Sequence, residues 1–309
     1  MNPILTIHTA TYNRAHTLPD VYKSLQEQTC YEFEWFVTDN GSTDETEKLF
    51  KQWSEEEKRF PIHYHKIDER GIPRALNYGV NHANGKYFFM LDSDDKLLPG
   101  SIELILEKIK EIENDSKMCG IGFVKVTEEG IPFKKIWPKV NEKGYVDCSN
   151  LNRYKYDLDA DMCEVYKIDV IKKFPFQVWK DEIYAPEQLC FDAMSLAGYE
   201  LRWYKYPMQV CEYLEGGQTQ GNWNLLRNNK MGYAMLSNLK LLTEKSFKEK
   251  FKYAGQHIAL SIVAGYPSYI LKSNKKWLTA LALPYGILLN FRRREQFKWD
   301  DPVNKINFS

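Results

Sequence analysis

The sequence has no surplus of charge of either sign, and its cysteines form no recognisable metal or redox motif. Its 309 residues carry 42 basic and 42 acidic side chains, so the formal net charge is zero. This balance argues against a protein whose main task is to coat nucleic acid. The six cysteines are widely spaced and form no CxxC pair. That spacing excludes the usual zinc and disulfide frameworks and indicates reduced, mostly buried thiols of a cytosolic protein.

The sequence also lacks long apolar runs and a targeting segment. No stretch reaches the roughly 20 apolar residues that a membrane-spanning helix needs. Met1-Asn2-Pro3 leads directly into a predicted strand, so we expect no signal peptide. With 43% hydrophobic and 27% charged residues, the chain is long enough for one large globular domain and an appendage. Aromatic residues make up 14%, which suits sugar rings, nucleobases and cores alike.

Neither common glycine-rich phosphate loop follows the first predicted strand, Ile4 to Ala10. The absence of GxGxxG argues against a dinucleotide held at a helix N-terminus. The absence of GxxxxGK[ST] argues against a P-loop enzyme. The strand is followed instead by Thr11-Tyr12-Asn13-Arg14, which contains no glycine. A sugar-phosphate nucleotidylyltransferase would also require a glycine-rich loop at this position.

Predicted strands and helices alternate four times before the middle of the chain. The expected strands are 4–10, 33–37, 62–67, 87–91 and 118–126, with helices in the intervening segments. Ser42-x-x-Glu45 predicts a capping box that opens the second helix. The alternation predicts an α/β fold with a doubly wound, mostly parallel sheet. Helical spacing of apolar residues continues beyond 222, which predicts a helical C-terminal extension.

Carboxylates follow the apolar strand Tyr87 to Leu91 without a break, as Asp92-Ser93-Asp94-Asp95. Open α/β sheets bind ligands at the carboxyl ends of their strands, where Asp39 and the 11–14 segment also belong. Two carboxylates at i and i+2 can hold a hard divalent cation that bridges diphosphate oxygens. The alternatives are a helix N-cap for the Asp92 cluster and an Asx-turn for Asp39.

Four segments resemble one enzyme family in order and spacing. They are 9–14 (TATYNR), 37–44 (VTDNGSTD), 71–79 (GIPRALNYG) and 85–95 (GKYFFMLDSDD). The chain resembles the inverting glycosyltransferases of family 2, which have the GT-A fold. Two positions depart from the family pattern: Asn40 replaces the commoner second Asp, and Leu76 stands where many relatives have Arg. Arg74 is the candidate for the missing positive charge.

The resemblance implies that different parts of the chain bind the donor and the acceptor. It implies a GT-A domain over 1–220, with a Rossmann-like nucleotide-sugar half at 1–100 and an acceptor half at 101–220, and a helical region at 221–309. It implies that Asp92 and Asp94 act through Mg²⁺ or Mn²⁺ on the sugar diphosphate. The candidate donor-binding residues are Thr11, Tyr12, Asn13, Arg14, Asp39, Gly71, Arg74, Asp92 and Ser93.

A general base is expected at the start of the predicted helix 185–198, which has Pro186 in its first turn and Gly198 after its end. Relatives often carry Glu-Asp at this helix start, whereas this chain has Glu187-Gln188. Glu187 is our candidate for the base, and Asp161 is the reserve candidate. The alternative role for Glu187 is to stabilise the helix N-terminus electrostatically.

The segment 272–298 is basic and carries a short apolar core. It has seven basic residues against one acidic residue, Glu295, and these flank the apolar segment from Trp277 to Leu289. The pattern favours an amphipathic contact with anionic lipid at the cytoplasmic face of a membrane. A helix packed on the catalytic domain is the alternative.

These observations predict a hexosyltransferase. It would move a sugar from a nucleotide-sugar, most often UDP-linked in this family, to a hydroxyl of a saccharide or lipid-linked saccharide, with inversion. Bacterial cell-surface polysaccharide or glycolipid assembly is the expected setting, with no nucleic-acid partner. The alternatives are the nucleotidylyltransferase and a non-catalytic nucleotide-binding scaffold. The scaffold stays an alternative because Gln188 stands where relatives often carry an Asp.

Overall fold

A computed structural model describes residues 3–211 and 222–298, and the chain divides into two compact units. The first comprises Met1–Pro175 and Phe191–Glu212, and the second Phe176–Cys190 and Tyr213–Ser309. The second unit thus takes a short piece from the middle of the chain. The division into 1–220 and 221–309 that we drew from the sequence is a functional one and stays a prediction.

Over residues 3–211 the first unit is built on a nine-stranded mixed sheet. Its strands are β1 (Leu5–Thr11), β2 (Phe33–Asp39), β3 (Ile62–Lys66), β4 (Tyr87–Met90), β5 (Lys96–Leu97), β6 (Met118–Val126), β7 (Tyr145–Cys148), β8 (Met162–Lys167) and β9 (Glu200–Val210). Their order is β3-β2-β1-β4-β8-β6-β9-β5, and β7 pairs with β9. The first four strands in this order are parallel, and β8 runs antiparallel between β4 and β6. The strands expected from the sequence are confirmed.

The helices of the described residues connect the strands and then make up most of the second unit. They are α1 (Leu18–Gln26), α2 (Thr46–Glu56), α3 (Ile72–His82), α4 (Ser101–Lys110), α5 (Ile168–Ile171), α6 (Gln188–Leu196), α7 (Asn222–Asn228), α8 (Lys230–Thr243), α9 (Phe247–Val263), α10 (Lys276–Leu281) and α11 (Leu283–Gln296). Among the helices of 3–211 and 222–298, none combines the length and the apolar character needed to cross a bilayer.

The register of the parallel strands brings the predicted site loops to one edge of the sheet. Thr11, the last residue of β1, lies opposite Asp39, the last residue of β2. Met90 ends β4 opposite His8, and the next N–H, that of Leu91, donates to the His8 carbonyl at 2.9 Å. The segment that starts at Asp92 therefore leaves the sheet at the same edge.

The predicted capping box at Ser42 and Glu45 is wrong. Helix α2 begins at Thr46 behind an N-cap residue, Glu45, whose side chain makes no capping bond. The Ser42 hydroxyl donates instead to Asp39 at 2.7 Å and accepts the Asn13 N–H at 2.8 Å. Ser42 is therefore part of the loop network at the sheet edge, because its partners come from neighbouring strands and not from the helix that follows.

Many aromatic residues of the first half pack in the core between the sheet and its helices. The Tyr22 ring stacks on Trp53 with centroids 4.5 Å apart, and Trp35 meets Phe50 edge-on at 5.0 Å. Trp35 is fully buried, and its indole N–H donates to Thr9 Oγ1 at 3.0 Å. The aromatic content of this region is thus largely structural and not a sign of ligand binding.

His8 is a buried histidine in the centre of the sheet. Its ring stacks on Phe88 at 5.2 Å, and Nε2 forms a hydrogen bond with Thr38 Oγ1 at 3.0 Å. Burial lowers the pKa of His8 from 6.5 to about 3. The side chain is therefore neutral in the folded protein at pH values where the unfolded chain binds a proton.

We expect His8 to make the protein sensitive to mild acid. Below its unfolded pKa of 6.5 only the unfolded state takes up the proton, so stability falls as the pH drops towards 3. Between about pH 7.5 and about pH 5.5, His8→Gln should reduce the loss of unfolding free energy by about 1.4 kcal/mol relative to wild type. Urea denaturation at the two pH values measures this difference. An equal loss in both proteins would contradict the prediction.

Candidate active site

The loops that follow β1 and β2 are tied to each other by side-chain to backbone hydrogen bonds. Asn13 adopts a left-handed conformation with φ of 52°, and its Oδ1 accepts the Thr43 N–H at 2.8 Å. The Ala15 N–H donates to Asp44 Oδ2 at 3.0 Å. Together with the Asn13–Ser42 bond, these contacts hold the segment 11–15 in one conformation. The predicted donor-binding segment is therefore a preformed loop.

Asp39 is completely buried, and hydrogen bonds engage both of its carboxylate oxygens. Oδ1 accepts from the Ser42 N–H at 2.8 Å and from the Ser42 hydroxyl at 2.7 Å. Oδ2 accepts from the Tyr64 hydroxyl. Burial, followed by this bond to Asp39, raises the pKa of Tyr64. The backbone bond of Asp39 reaches three residues on, to Ser42, and not two as in the Asx-turn considered from the sequence. A contact of Asp39 with a nucleotide stays a prediction.

Asn40, one of the departures from the family pattern, links two parts of the rim. Its Nδ2 donates to the Thr11 carbonyl at 3.3 Å, while its Oδ1 accepts the Gly71 N–H at 3.0 Å. An aspartate could accept but not donate, so the amide suits this position better than the commoner acid. Gly71 has φ of 147°, which a residue with a side chain rarely adopts, and it directly precedes α3.

An arginine that the sequence analysis did not name, Arg70, lies beside the 11–14 segment. The Arg70 guanidinium carbon lies 3.8 Å from the centroid of the Tyr12 ring. Arg74, the residue proposed from the sequence, contacts Glu69 through Nε at 3.2 Å and the Arg70 carbonyl through Nη1 at 3.2 Å. The sequence analysis named Arg74 alone and missed Arg70, because the conformation of the chain before α3 decides which side chain lies at Tyr12.

The acidic segment after β4 meets a buried lysine that sequence reasoning missed. Lys125 Nζ lies 3.1 Å from Asp92, 3.2 Å from Asp95 and 3.2 Å from Asp161. Its side chain is 5% exposed, like that of Asp95 at 6%, whereas Asp92 and Asp161 are 65% and 55% exposed. We call Asp92, Asp94, Asp95 and Asp161, together with Lys125, the carboxylate cluster.

Sheet topology explains this meeting. Strand β6 runs in the same direction as β4 because each is antiparallel to β8. Lys125, the penultimate residue of β6, therefore reaches the same edge as Asp92. Asp161 directly precedes β8 and so enters the sheet at that edge. The available sequence signal was a single charged residue in the otherwise uncharged strand MCGIGFVKV.

Asp94 and Ser93 are held from the α1 side of the rim. Arg14 Nη2 lies 3.8 Å from Asp94 Oδ2. The Thr17 hydroxyl donates to the Ser93 carbonyl at 2.8 Å. The Arg14 contact joins the first and fourth of the matched segments, as expected for loops at one sheet edge.

The charges of the cluster do not cancel. Four carboxylates face two cationic side chains, Lys125 and Arg14, which leaves an excess of two negative charges when all are ionised. Burial and then the Asp92 charge raise the pKa of Asp94. Burial also raises the pKa of Asp95. Burial alone would lower the pKa of Lys125, but its three carboxylate partners raise it above the ordinary value.

This excess charge fits a divalent cation, which has the opposite charge and prefers carboxylate oxygens. Asp92 and Asp94 are the candidate ligands, and their exposed fractions of 65% and 24% leave oxygens accessible. Within residues 3–211 and 222–298, no three His, Cys, Asp or Glu side chains are arranged as a metal site. Two carboxylates leave coordination positions of such a cation open to water or to other oxygen ligands.

Glu187 lies in the second unit, directly before α6. The helix begins at Gln188, so Pro186 precedes it instead of occupying its first turn. Glu187 is half-buried, and its carbonyl accepts the Cys190 N–H at 2.9 Å. Beyond the end of the helix, Gly198 has φ of 92°, as predicted for its cap position. The role of Glu187 as a base stays a prediction.

Comparison with known proteins decides the family. The family model of glycosyl transferase family 2 matches residues 6–174, just over half of the chain. The chain belongs to glycosyl transferase family 2. The match covers β1 except Leu5, all of β2 to β8, and all residues of the carboxylate cluster. The expectation of a glycosyltransferase is thereby confirmed at the level of the family.

Two curated relatives illustrate the range of the family. The chain is 28% identical over 109 residues to the Campylobacter jejuni GalNAc(5)-diNAcBac-PP-undecaprenol beta-1,3-glucosyltransferase, covering 35% of each chain. It is 28% identical over 134 residues to the putative teichuronic acid biosynthesis glycosyltransferase TuaG of Bacillus subtilis, covering 43% of this chain and 52% of that protein. The matches thus span about a third to a half of these relatives.

Solved structures confirm the GT-A type of fold. S. aureus TarS 1–349 in complex with UDP-GlcNAc has a TM-score of 0.60 at 15% identity, covering 92% of this chain and 80% of that one. The Pyrobaculum calidifontis mannosyltransferase PcManGT, in complex with GDP-Man and Mn²⁺, has a TM-score of 0.51 at 16% identity, covering 97% and 82%. The predicted mostly parallel α/β sheet followed by a helical region is confirmed.

We expect Lys125 to be essential for the stability of the carboxylate cluster. Lys125→Met should lower the free energy of unfolding by about 3 kcal/mol, because removing one partner leaves the buried Asp95 without its counter-charge. Chemical denaturation measures the change. Lys117→Met is the matched control, since Lys117 is 60% exposed and pairs only with the Glu200 carboxylate among its described ion pairs. A loss no larger than in the control would contradict the prediction.

Proposed function

We propose that the protein is an inverting hexosyltransferase that uses a UDP-sugar as donor. The observation that carries the proposal is the single rim at which the 11–14 loop, Asp39 and the carboxylate cluster meet. Family membership supports glycosyl transfer over nucleotidylyl transfer. The TarS complex with UDP-GlcNAc supports a UDP-sugar, and the GDP-Man complex of PcManGT shows that donors differ among proteins of this fold.

In the proposed complex the nucleotide binds over β1 and β2. Tyr12 offers an aromatic face for the base, and Arg70 lies against that ring at 3.8 Å. Asp39 would accept a hydrogen bond from the base, which requires an exchange with one of its present donors. Gly71 allows the chain before α3 to approach the nucleotide closely, because it has no side chain.

The diphosphate is proposed to bind beside Asp92, Ser93 and Asp94. A divalent cation, Mg²⁺ or Mn²⁺, held by Asp92 and Asp94 would supply stabilisation of the charge that grows on the leaving diphosphate. Arg14, 3.8 Å from Asp94, keeps that carboxylate in place and contributes positive charge to the same region. Lys125 Nζ lies 3.1 Å from Asp92 Oδ2 and so holds this carboxylate from the β6 side.

Inversion requires one in-line displacement at the anomeric carbon. A carboxylate takes the proton from the acceptor hydroxyl while the hydroxyl oxygen attacks the anomeric carbon. The bond from that carbon to UDP breaks, and the UDP leaves on the opposite side. We propose Glu187 for this role, with Asp161 as the reserve candidate. The ion pair of Asp161 with Lys125 at 3.2 Å ties it to the cluster that serves the diphosphate, which makes it the less suitable base.

For the acceptor we propose a saccharide, free or carried on a lipid, in bacterial cell-surface polysaccharide or glycolipid assembly. The names of the Campylobacter and Bacillus relatives, one acting on an undecaprenol-linked saccharide and one in teichuronic acid biosynthesis, support this setting. A lipid-linked acceptor would place the enzyme at the cytoplasmic face of a membrane, in peripheral contact through the basic segment 272–298.

Asp94→Ala should abolish the metal-dependent part of UDP-sugar binding and leave the fold intact, because the residue lies in a loop at the sheet edge. Calorimetric titration of UDP-sugars with and without Mn²⁺ measures this, with an expected loss of at least about tenfold in affinity. Asp20→Ala, an exposed substitution on α1, serves as the control. Undiminished binding with an undiminished response to Mn²⁺ would refute the assignment.

Glu187→Gln should lower turnover by about 10²–10⁴, since that is the usual contribution of a general base. Affinity for the UDP-sugar should stay nearly unchanged, because donor binding does not use this group. Initial rates of sugar transfer or donor hydrolysis, measured beside UDP-sugar affinity, separate the two effects.

Asp161→Asn is the comparison variant. Loss of turnover in Asp161→Asn, with most of it retained in Glu187→Gln, would show that Asp161 is the base. If neither substitution lowers turnover, the inverting mechanism is wrong. Binding of UDP without turnover in the wild-type protein, on any acceptor and any donor, would favour the non-catalytic scaffold.

A further inference from the structure

Helix α11 buries polar residues and exposes apolar ones, the reverse of an ordinary surface helix. Its buried positions are Gly286, Asn290, Arg293 and Gln296. On its outer side Leu288 is 69% exposed and Phe291 is 63% exposed. An outer face of this kind in a soluble helix indicates that something else covers it.

The inner face of α11 is well matched to α9, so its orientation is determined by packing. A Cβ atom on Gly286 would lie 2.6 Å from Ile258 Cβ, which shows how closely the two helices approach. Arg293 donates from Nη1 to Gln296 at 2.9 Å and from Nη2 to Gln256 of α9 at 3.1 Å. Turning the helix to bury its apolar side would break these contacts.

The exposed apolar surface extends along α10 to the start of α9. Leu281, the last residue of α10, is 57% exposed. Trp277 is 63% exposed and stacks on Phe247, which is 57% exposed, with centroids 6.3 Å apart. We call Phe247, Trp277, Leu281, Leu288 and Phe291 the apolar ridge.

Basic residues stand at both ends of the ridge. Lys272 and Lys276 are exposed before it, and Arg292, Arg294 and Lys298 are exposed at the other end. Between 272 and 298 the single acidic residue, Glu295, pairs with Lys298 at 2.7 Å. The α10 and α11 part of the ridge is therefore apolar and is flanked in the sequence by exposed basic residues on both sides.

We propose that the apolar ridge docks on a membrane that contains anionic lipid, with α10 and α11 lying along the lipid–water interface. Basic residues near a surface are attracted by anionic headgroups, and Trp and Leu side chains enter the region beneath them. Trp is favoured at that boundary. A second copy of this chain fits less well, because a two-fold interface would bring identical basic ends together.

The residues of the apolar ridge are not among those proposed for glycosyl transfer. A membrane contact at the ridge fits the lipid-linked acceptor proposed above. Vesicle binding measures this contact alone, so failure of the Asp94→Ala or Glu187→Gln predictions would leave the membrane contact standing. Failure of vesicle binding would likewise leave the proposed chemistry intact.

Sedimentation of the full chain with phosphatidylcholine vesicles, with and without phosphatidylglycerol, tests the proposal. The wild-type protein should bind the anionic vesicles at low salt, less at high salt, and the neutral vesicles weakly. Leu288→Glu/Phe291→Glu should reduce binding by at least about tenfold, since charged side chains oppose entry into the apolar layer. Circular dichroism and the thermal melt of this variant should match the wild type.

Two further variants keep the outcome decisive. Ile131→Glu/Leu196→Glu is the matched control, because these residues are 47% and 46% exposed but belong to the first unit, and it should bind as wild type does. Lys272→Glu/Lys276→Glu leaves the ridge intact and should weaken binding and flatten its salt dependence, which covers the case in which the ridge variant fails to fold.

The proposal is overturned if wild-type protein ignores anionic vesicles at low salt, or if the ridge variant and the control bind equally well. It is also overturned if light scattering finds a wild-type dimer that Leu288→Glu/Phe291→Glu converts to a monomer without any vesicle binding by either. In that case a second copy of the chain covers the ridge.

Discussion

The ion cluster around Lys125 is the interaction on which the rim of the first unit depends. One ammonium group lies within 3.2 Å of carboxylates from the segment after β4 and from the residue before β8. Gln209 of β9 adds a hydrogen bond to Asp95. Four neighbouring stretches of the sheet thus meet at one buried charge. Leaving that charge without partners would be costly, so the ends of these strands are constrained together.

The proposed nucleotide side of the rim is held mainly by hydrogen bonds and not by ion pairs, and the Asp39 and Asp44 carboxylates accept some of these bonds. Asn13, Ser42 and Asn40 connect the loops after β1 and β2 to each other and to Gly71. The Thr17–Ser93 bond then joins these loops to the acidic segment. Two kinds of support, amide and hydroxyl bonds on one side and ion pairs on the other, therefore position the proposed base-binding and diphosphate-binding residues before any ligand arrives.

In the second unit several apolar side chains are exposed and not buried in a core. Gly286 and Arg293 let α11 lie close on α9 with polar contacts, and Leu288 and Phe291 then face outward. Apolar exposure is unfavourable in water at roughly 25 cal/mol per Å². A contiguous exposed apolar surface is typical of an interaction site, and for this reason we propose that it contacts a membrane.

Sequence alone determined the local and strand-end features of this protein. Alternating strand and helix patterns predicted the order of the elements, and polar residues after apolar strands predicted one site edge, because parallel strands end on a common side. Asp39, Asp92 and Asp94 were placed at that edge in this way. Only the tertiary structure decided the contacts that depend on strand order, such as Lys125 with Asp161, or Ser42 with Asn13. It also decided which face of α11 is buried, because helical spacing gives the same apolar stripe whether that stripe meets a core or a lipid surface.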